Sequence, residues 1–331
     1  MSEKPSVAII GTGGTIGSTG FHSLDLVEYR GPMVEIDALI AQVPELDQYA
    51  DVITVEHSTV ASDAITVDDW LSLSRLIDHT VSEHPGLSGV VVTHGTATLE
   101  ETAYFLNLTL RCRLPVVLVG AQRPATGLSS DTRMNLLSAV RTAVSEGARG
   151  QGVLVVLNET IQAAREVTKS SVFRLDAFRT PDFGVLGHTD LDVIHWYRHV
   201  TRRHTYSSEL GLDDETELPR VDIVPSYAGA DGVAVDAFVA AGAVGLVVGS
   251  LAPGTAPPVQ TEALTRAVSR GVAVVYSSRA GGGRVLDLPH GQASGSITAD
   301  NLSPQKARVL LMLALRRTSE TSALKRFFDE Y

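Results

Sequence analysis

Short apolar runs alternate along the chain with glycine-containing loops and with segments of helical period. In the first half these runs are almost continuously apolar and rich in β-branched residues. That pattern is typical of strands buried on both faces of a parallel sheet. It predicts strands at Ser6–Ile10, Gly89–Thr93, Val116–Gly120 and Val153–Asn158.

Segments with the period of an amphipathic helix lie between these runs. The stretch 66–83 begins with Thr66 and Asp69 in the spacing of a capping box, and its apolar residues then fall on one helical face. A second helix is predicted to begin with the same device, formed by Thr98 and Glu101. Because strand, loop and helix follow one another in series, we predict an α/β fold.

The alternation breaks around residues 201–220, which are polar, lack a stable period and include Pro219. We interpret 201–218 as a linker between a large N-terminal domain (1–200), with a parallel or mixed sheet and flanking helices, and a smaller C-terminal α/β domain (219–331). The second domain repeats the pattern, with strands at Val221–Val224, Leu246–Gly249 and Val272–Tyr276, and helices at Val233–Ala241, Pro258–Ser269 and after the N-cap Ser303.

Composition narrows the class of protein. Of the 331 residues 44% are hydrophobic, and the formal net charge of −11 comes without a basic stripe, which argues against a nucleic-acid surface. No run approaches the ~20 apolar residues of a membrane span, and the N-terminus lacks a signal peptide's apolar core, so we expect a cytoplasmic protein. The lone Cys112 lies in an apolar pattern without metal-ligand spacing, which predicts a buried, inert thiol.

The loop after the first predicted strand, "GTGGTIG", contains a threonine among glycines. A dinucleotide fingerprint needs glycine where Ile16 stands, and a Walker loop needs a Gly-Lys pair that is absent here. The sequence therefore disfavours a phosphate cradle. Two interpretations stay open: a glycine turn without chemistry, or a loop that exposes Thr12 as a nucleophile.

The loop after the second predicted strand, "THGTATLEE", places Thr96 just before a helix. Backbone N–H groups and the positive end of the helix dipole favour a developing negative charge there. The alternative is that the threonines of this loop only satisfy backbone groups in a turn. No carboxylate in the sequence orients His94, so we expect that histidine to be structural.

The stretch "REVTKSS" contains Lys169 among small polar residues. A partly desolvated lysine beside a threonine hydroxyl has a lowered pKa and is able to accept the hydroxyl proton. The alternative is an exposed lysine without a chemical role.

These loops together resemble the bacterial-type L-asparaginase and glutaminase-asparaginase family over nearly the whole chain. The matching motifs are "TGGTIG" at Thr12–Gly17, "THGTxTxEETAYFL" at Thr93–Leu106, "PVVLVGAQRP" at Pro115–Pro124, "VTK" at Val167–Lys169, "SSR" at Ser277–Arg279 and "PQKARVLL" at Pro304–Leu311.

The resemblance implies an amidohydrolase without metal or cofactor. A threonine attacks a side-chain carboxamide, ammonia leaves, and water resolves the acyl-enzyme. By motif, Thr12 is expected to be the nucleophile and Tyr29 to assist it from a mobile lid loop. Thr96 and Lys169 are expected to form a hydroxyl–lysine pair active in proton transfer.

The resemblance also implies binding residues and an assembly. Ser62 corresponds to the serine that binds the substrate's α-carboxylate, Ala121 to the residue whose carbonyl holds the leaving amide, and Gly95 lies in the substrate-facing loop. The family builds its sites where two subunits meet, in a tetramer of paired dimers. We therefore expect a homo-oligomer that takes a small amide as substrate.

Three positions depart from the family pattern. The family's aspartate after the second threonine is Ala97, its Ser-Gln pair reads Ser62-Asp63, and its "GNGN" stretch reads Ala252–Thr255. All three changes affect the group that receives the substrate's α-ammonium, while Thr12, Thr96 and Lys169 are retained.

Three hypotheses follow. The first is an amidohydrolase diverged from L-asparagine, with Asp63 recognising the substrate's amine. The second is an L-asparaginase of low efficiency. The third is a non-catalytic protein that binds a small amide, against which the retained threonines and lysine argue.

Overall fold

The chain divides into two units in this computed structural model, Met1–Leu212 and Asp213–Tyr331, and the structure describes residues 4–213 and 215–331. Residues 201–212, part of the predicted linker, pack within the first unit. His204 is buried there, and Ser208 Oγ donates a 2.5 Å hydrogen bond to the carbonyl of Leu108.

An eight-stranded sheet forms the centre of the first unit, in the order β10-β9-β6-β5-β4-β3-β1-β2. Strands β1 to β5 pair in parallel, and the β6, β9 and β10 edge is antiparallel. A separate antiparallel pair, β7 with β8, carries the "VTK" lysine. The bounds are Ser6–Gly13 (β1), Asp51–Val60 (β2), Leu87–Thr93 (β3), Val116–Val119 (β4), Val153–Leu157 (β5), Thr160–Ala163 (β6), Thr168–Lys169 (β7), Phe178–Arg179 (β8), Gly187–Thr189 (β9) and Ile194–Trp196 (β10).

Apolar side chains bury both faces of this sheet. Val7 and Ile9 of β1 point to one face, where they join a cluster that includes Leu136 and Val140. Ala8 and Ile10 point to the other face and are likewise fully buried. The predicted strands are therefore confirmed as central parallel strands, because only two-sided burial favours such continuous apolarity.

Helices cover the sheet, and their first turns differ from one another. Thr66 and Asp69 form the predicted capping box. The capping box predicted for Thr98 and Glu101 is wrong: Thr98 is the N-cap but makes no side-chain capping bond, and its hydroxyl donates to the Ser62 carbonyl. The helices are Ile36–Ile40 (α1), Val67–Glu83 (α2), Leu99–Thr109 (α3) and Thr132–Val144 (α4).

The second unit is a smaller α/β domain with a parallel four-stranded sheet in the order β11-β12-β13-β14. Ser303 caps its long apolar helix as predicted, by accepting from the Lys306 amide. The elements are Val221–Pro225 (β11), Val233–Ala240 (α5), Gly245–Ser250 (β12), Pro258–Ser269 (α6), Ala273–Ser278 (β13), Ile297–Thr298 (β14), Pro304–Leu315 (α7) and Thr321–Glu330 (α8).

Candidate active site

Thr12 lies at the carboxyl end of β1, which pairs with β2 on one side and with β3 on the other. Its side chain is 2% exposed, and its Oγ1 donates a 2.7 Å hydrogen bond to the carbonyl of Thr93, the last residue of the neighbouring β3. Ligands of parallel α/β sheets bind beyond the carboxyl ends of the strands. Thr12 therefore lies at the edge of the sheet where ligands of such folds bind.

Two glycines allow the loops after β1 and β3 to touch. Gly14 has a φ of 83°, and a Cβ built on it would lie 2.2 Å from the Cα of Gly95. A side chain there would force the loops apart, and the positive φ also favours glycine. The glycines of "GTGGTIG" therefore bring the loops of Thr12 and Thr96 together.

Lys169 and Thr96 form a direct hydrogen-bonded pair. The lysine Nζ donates to Thr96 Oγ1 over 2.7 Å, although the two residues lie on β7 and in the loop before α3. Thr96 is 6% exposed and Lys169 is half-buried. Burial lowers the pKa of Lys169, and the negative charge of Glu100 partly opposes that effect. The arrangement suits a lysine that exchanges a proton with a hydroxyl.

Ser62 is fixed to the Thr96 loop by two hydrogen bonds. Its Oγ accepts from the Ala97 amide over 3.2 Å, and its carbonyl accepts from Thr98 Oγ1 over 2.7 Å. Because the Ser62 oxygen acts as acceptor, its hydroxyl proton can still be donated to a ligand. Asp63 and Ala97 are both solvent-exposed beside it.

Ala121 follows β4 and is fully buried, in a loop held by residues that the sequence motifs did not single out. The carboxylate of Asp131 accepts from the amides of Gln122 and Arg123, and Asn135 Nδ2 donates to the Gly120 carbonyl. The available signal was a pair of polar residues at the start of α4, one of them its N-cap. These contacts fix the backbone on both sides of Ala121.

Tyr29 lies on the long loop between β1 and α1 and is half-buried. The ends of this loop are joined, since the Val34 amide donates to the Gly17 carbonyl over 2.7 Å. The Leu128 amide also donates to the carbonyl of Ser23 in the same loop. Within the described residues, no hydrogen bond joins Tyr29 to Thr12, Thr96 or Lys169, so the predicted assisting role stays a prediction.

His94 is a buried structural residue, as predicted. Its Nδ1 lies 2.7 Å from the Gly95 carbonyl and its Nε2 lies 3.0 Å from Thr102 Oγ1. Trp70 Nε1 donates to the same hydroxyl. Burial lowers the pKa of His94 to about 4, which keeps the ring neutral at physiological pH. With these two partners, the neutral ring joins the Thr96 loop to Thr102 of α3.

Cys112 is half-buried, in the loop after α3, rather than buried as predicted. The burial that it has raises the pKa of its thiol to about 11. Ala252–Thr255 forms a tight turn in the second unit, where Leu251 and Thr255 form a bridge and the Ala252-Pro253 bond is cis.

In the part of the chain that the structure describes, no group of three or more histidine, cysteine, aspartate or glutamate side chains is placed to hold a metal ion.

Comparison with known proteins places this site in a family. Residues 6–202 match the N-terminal asparaginase domain, and residues 220–328 match the glutaminase/asparaginase C-terminal domain. The chain therefore belongs to the asparaginase family. It is a hydrolase that acts on amide C–N bonds.

Individual relatives agree with this assignment. L-asparaginase 2 of Bacillus subtilis (strain 168) is 39% identical, over 100% of this chain and 88% of that protein. Glutaminase-asparaginase of Pseudomonas fluorescens biotype A is 37% identical, over 100% of this chain and 91% of that protein. The crystal structure of the probable cytoplasmic L-asparaginase from Campylobacter jejuni superposes with a TM-score of 0.94 at 40% identity, covering 99% of this chain and 100% of that one.

No helix among residues 4–213 and 215–331 combines the length and the apolar character needed to cross a membrane.

Proposed function

We propose that this hydrolase releases ammonia from a small carboxamide, with Thr12 as the nucleophile. The observation that carries the proposal is a buried threonine at the end of β1 beside a loop whose own threonine is hydrogen-bonded to a partly desolvated lysine. A hydroxyl nucleophile needs a proton acceptor near it, and a lysine with a lowered pKa supplies one.

The reaction proceeds in two steps. Thr12 Oγ1 forms a bond to the carboxamide carbon, its proton passes to the site's base, and the C–N bond breaks as the nitrogen takes a proton and leaves as ammonia. Water then attacks the resulting ester and releases the carboxylic acid and Thr12. One amide and one water thus give one acid and one ammonia, with no redox change.

The pair formed by Thr96 and Lys169 moves the protons. Neutral Lys169 accepts a proton through the hydroxyl of Thr96, and the resulting ammonium returns it to the leaving nitrogen. The backbone amides of the Thr96 loop face the developing oxyanion. The Ala97 amide is already engaged with Ser62 Oγ, so Gly95 and Thr96 are left to provide that contact.

Specificity has diverged from plain L-asparagine. Ala97 offers no carboxylate to a substrate ammonium, and an ammonium buried without its charge partner loses roughly 2–5 kcal/mol of binding. The nearby exposed Asp63 supplies the replacement charge in a shifted position and selects a carboxamide with a differently placed amine. Ser62 binds the substrate's carboxylate, and the Ala121 carbonyl accepts from the amide nitrogen.

The enzyme works without a cofactor and as a homotetramer built as a dimer of dimers, and support for both statements comes from the family alone. It works in the cytoplasm, as the name of the Campylobacter jejuni relative suggests for that protein, although the Haemophilus influenzae relative is named periplasmic. A low-efficiency L-asparaginase is the second candidate, favoured by full-length relatives named L-asparaginase at 36–39% identity.

Ammonia release from a panel of amides tests the proposal: L-asparagine, L-glutamine, their D-isomers and simple aliphatic amides. We expect turnover of at least one amide other than L-asparagine at higher kcat/KM. Ordinary efficiency on L-asparagine would contradict the divergence. Binding of an amide without turnover, unchanged by Thr12→Ala, would contradict the catalytic role and favour a binding protein.

A further inference from the structure

Glu100 contacts the backbone of the lysine in the candidate site. It lies in the first turn of α3 and is half-buried. Its Oε2 accepts a 2.9 Å hydrogen bond from the backbone amide of Lys169, a residue 69 positions further along the chain. A charge-assisted hydrogen bond of this kind is about twice as strong as a neutral one.

Lys169 is consequently held at both ends by one short stretch of chain. Its Nζ donates to Thr96 Oγ1, while its backbone N–H donates to Glu100. Thr96 and Glu100 lie two residues on either side of Thr98, the N-cap of α3. The backbone of Lys169 and the hydroxyl that its side chain contacts are therefore both fixed to the start of α3.

We propose that Glu100 is a positioning residue of the amidohydrolase site, which tethers the backbone of Lys169 to the start of α3 so that Nζ meets the Thr96 hydroxyl. This inference rests on the proposed function. β7 contains only Thr168 and Lys169 and pairs with another strand of two residues. Such a short pair constrains the lysine weakly by itself, which gives the tether its importance.

Glu100 also supplies charge. Among the described residues, it carries the one charge that shifts the pKa of Lys169, and it acts against the effect of burial. The lysine Nζ also contacts the neutral Thr96 hydroxyl, and the centroid of the Phe178 ring lies 6.0 Å from Nζ. With Ala97 in place of an aspartate, Glu100 is the carboxylate that opposes the effect of burial on the pKa of Lys169.

Three variants separate the tether from the charge. Glu100→Gln keeps an acceptor for the Lys169 amide and removes the charge. Glu100→Asp keeps the charge but is one methylene too short for the same hydrogen bond. Glu100→Ala removes both. Asp68→Asn, which removes an exposed carboxylate from the first turn of α2, is the matched control.

The expected results differ among the variants. Glu100→Ala lowers kcat by roughly 10- to 100-fold, the cost of a catalytic group displaced by about 1 Å, with KM changed less than about twofold because no substrate contact is lost. Glu100→Gln retains the plateau kcat, but the acid limb of its pH–rate profile moves to lower pH. Glu100→Asp lowers kcat and leaves that limb in place, and Asp68→Asn changes neither quantity.

A second measurement does not depend on activity. The lysines of the chain are Lys4, Lys169, Lys306 and Lys325, so ¹³Cε-lysine labelling gives few NMR signals. The signal that is lost in Lys169→Arg belongs to Lys169. The titration midpoint of this signal should fall in Glu100→Gln and stay unchanged in Asp68→Asn.

Wild-type kcat in Glu100→Ala would overturn the tether, and an unchanged Lys169 midpoint in folded Glu100→Gln would overturn the role given to the charge of Glu100. Failure of the proposed function would look different: the wild-type chain would release no ammonia from any amide, while the lysine titration would still report on Glu100.

Discussion

Lys169 Nζ lies 2.7 Å from Thr96 Oγ1, and this hydrogen bond joins two motifs that are 73 residues apart in the chain. It gives a buried hydroxyl the partner that proton transfer requires. The nearby Thr12 hydroxyl donates to a carbonyl instead. The two threonines are therefore not equivalent, and each supports its own prediction.

Removing either member of the Thr96–Lys169 pair should lower kcat by roughly 10²- to 10⁴-fold, the usual contribution of a general acid or base. Because the two residues act as one unit, Thr96→Val combined with Lys169→Met should cost about as much as either single change. Steady-state kinetics of ammonia release checks this. The surface variant Lys325→Met should behave as wild type. Fully additive losses would show that the residues act independently.

Thr12→Val should abolish turnover, with a loss of at least about 10³-fold, since no acyl-enzyme can form without the nucleophile. Acid-quenched samples analysed by intact mass and peptide mapping should show the acyl adduct on Thr12 in the wild type and none in the variant. Thr80→Val is a matched control, because that buried threonine also donates to a backbone carbonyl. An adduct on Thr96 would reassign the nucleophile.

Ala97→Asp should raise kcat/KM for L-asparagine by about tenfold or more, since it restores an anion for the α-ammonium, and such pairing is worth roughly 2–5 kcal/mol. Ala97→Asn is the neutral control and should give little of this gain. Competition assays against the preferred amide of the wild type measure the change in preference. If both variants respond equally, charge is not the reason for the divergence.

Acid should destabilise the protein through His94. Its pKa in the folded state is about 4, below the ordinary 6.5, so between these pH values the unfolded chain binds a proton that the folded chain does not. Stability is therefore lost as the pH falls from 6.5 toward 4, by on the order of 3 kcal/mol. Urea unfolding at a series of pH values gives the free energy of unfolding at each pH. Between pH 6.5 and 4 this free energy should fall less steeply with falling pH in His94→Gln than in the wild type.

His79→Gln, at an exposed histidine, is the control for that experiment and should keep the wild-type dependence of the unfolding free energy on pH. If His94→Gln leaves that dependence unchanged, other groups cause the acid sensitivity.

Local sequence patterns predicted the central strands and several helix starts. Continuous apolarity identified β1, β3, β4 and β5 because burial on both faces leaves no polar positions. Strand β2 did not stand out, since its side chains are partly exposed and alternate weakly. The short antiparallel strands from β6 to β10 were also missed, because two to four residues carry too little periodicity to distinguish a strand from a loop.

Motifs supplied the candidate residues, and the fold supplied their relationships. Thr12, Thr96 and Lys169 were identified from their loops, but nothing in "REVTKSS" specifies that its lysine meets Thr96. Thr98 illustrates the limit: its local spacing predicted a capping box, whereas its hydroxyl bonds to Ser62. Glu100 and Asp131 were overlooked because an acidic residue in a helix's first turn or at its N-cap is usual without any further role.

The sequence by itself thus determined the α/β class, the glycine-rich loops and the reactive residue types, because burial and backbone freedom are encoded in neighbouring residues. Only the tertiary structure decided that Gly14 meets Gly95, that Lys169 meets Thr96 and that Glu100 holds the backbone of Lys169. These contacts join residues about 70 to 80 positions apart. Strand order and loop paths set them, and no local period reports either one.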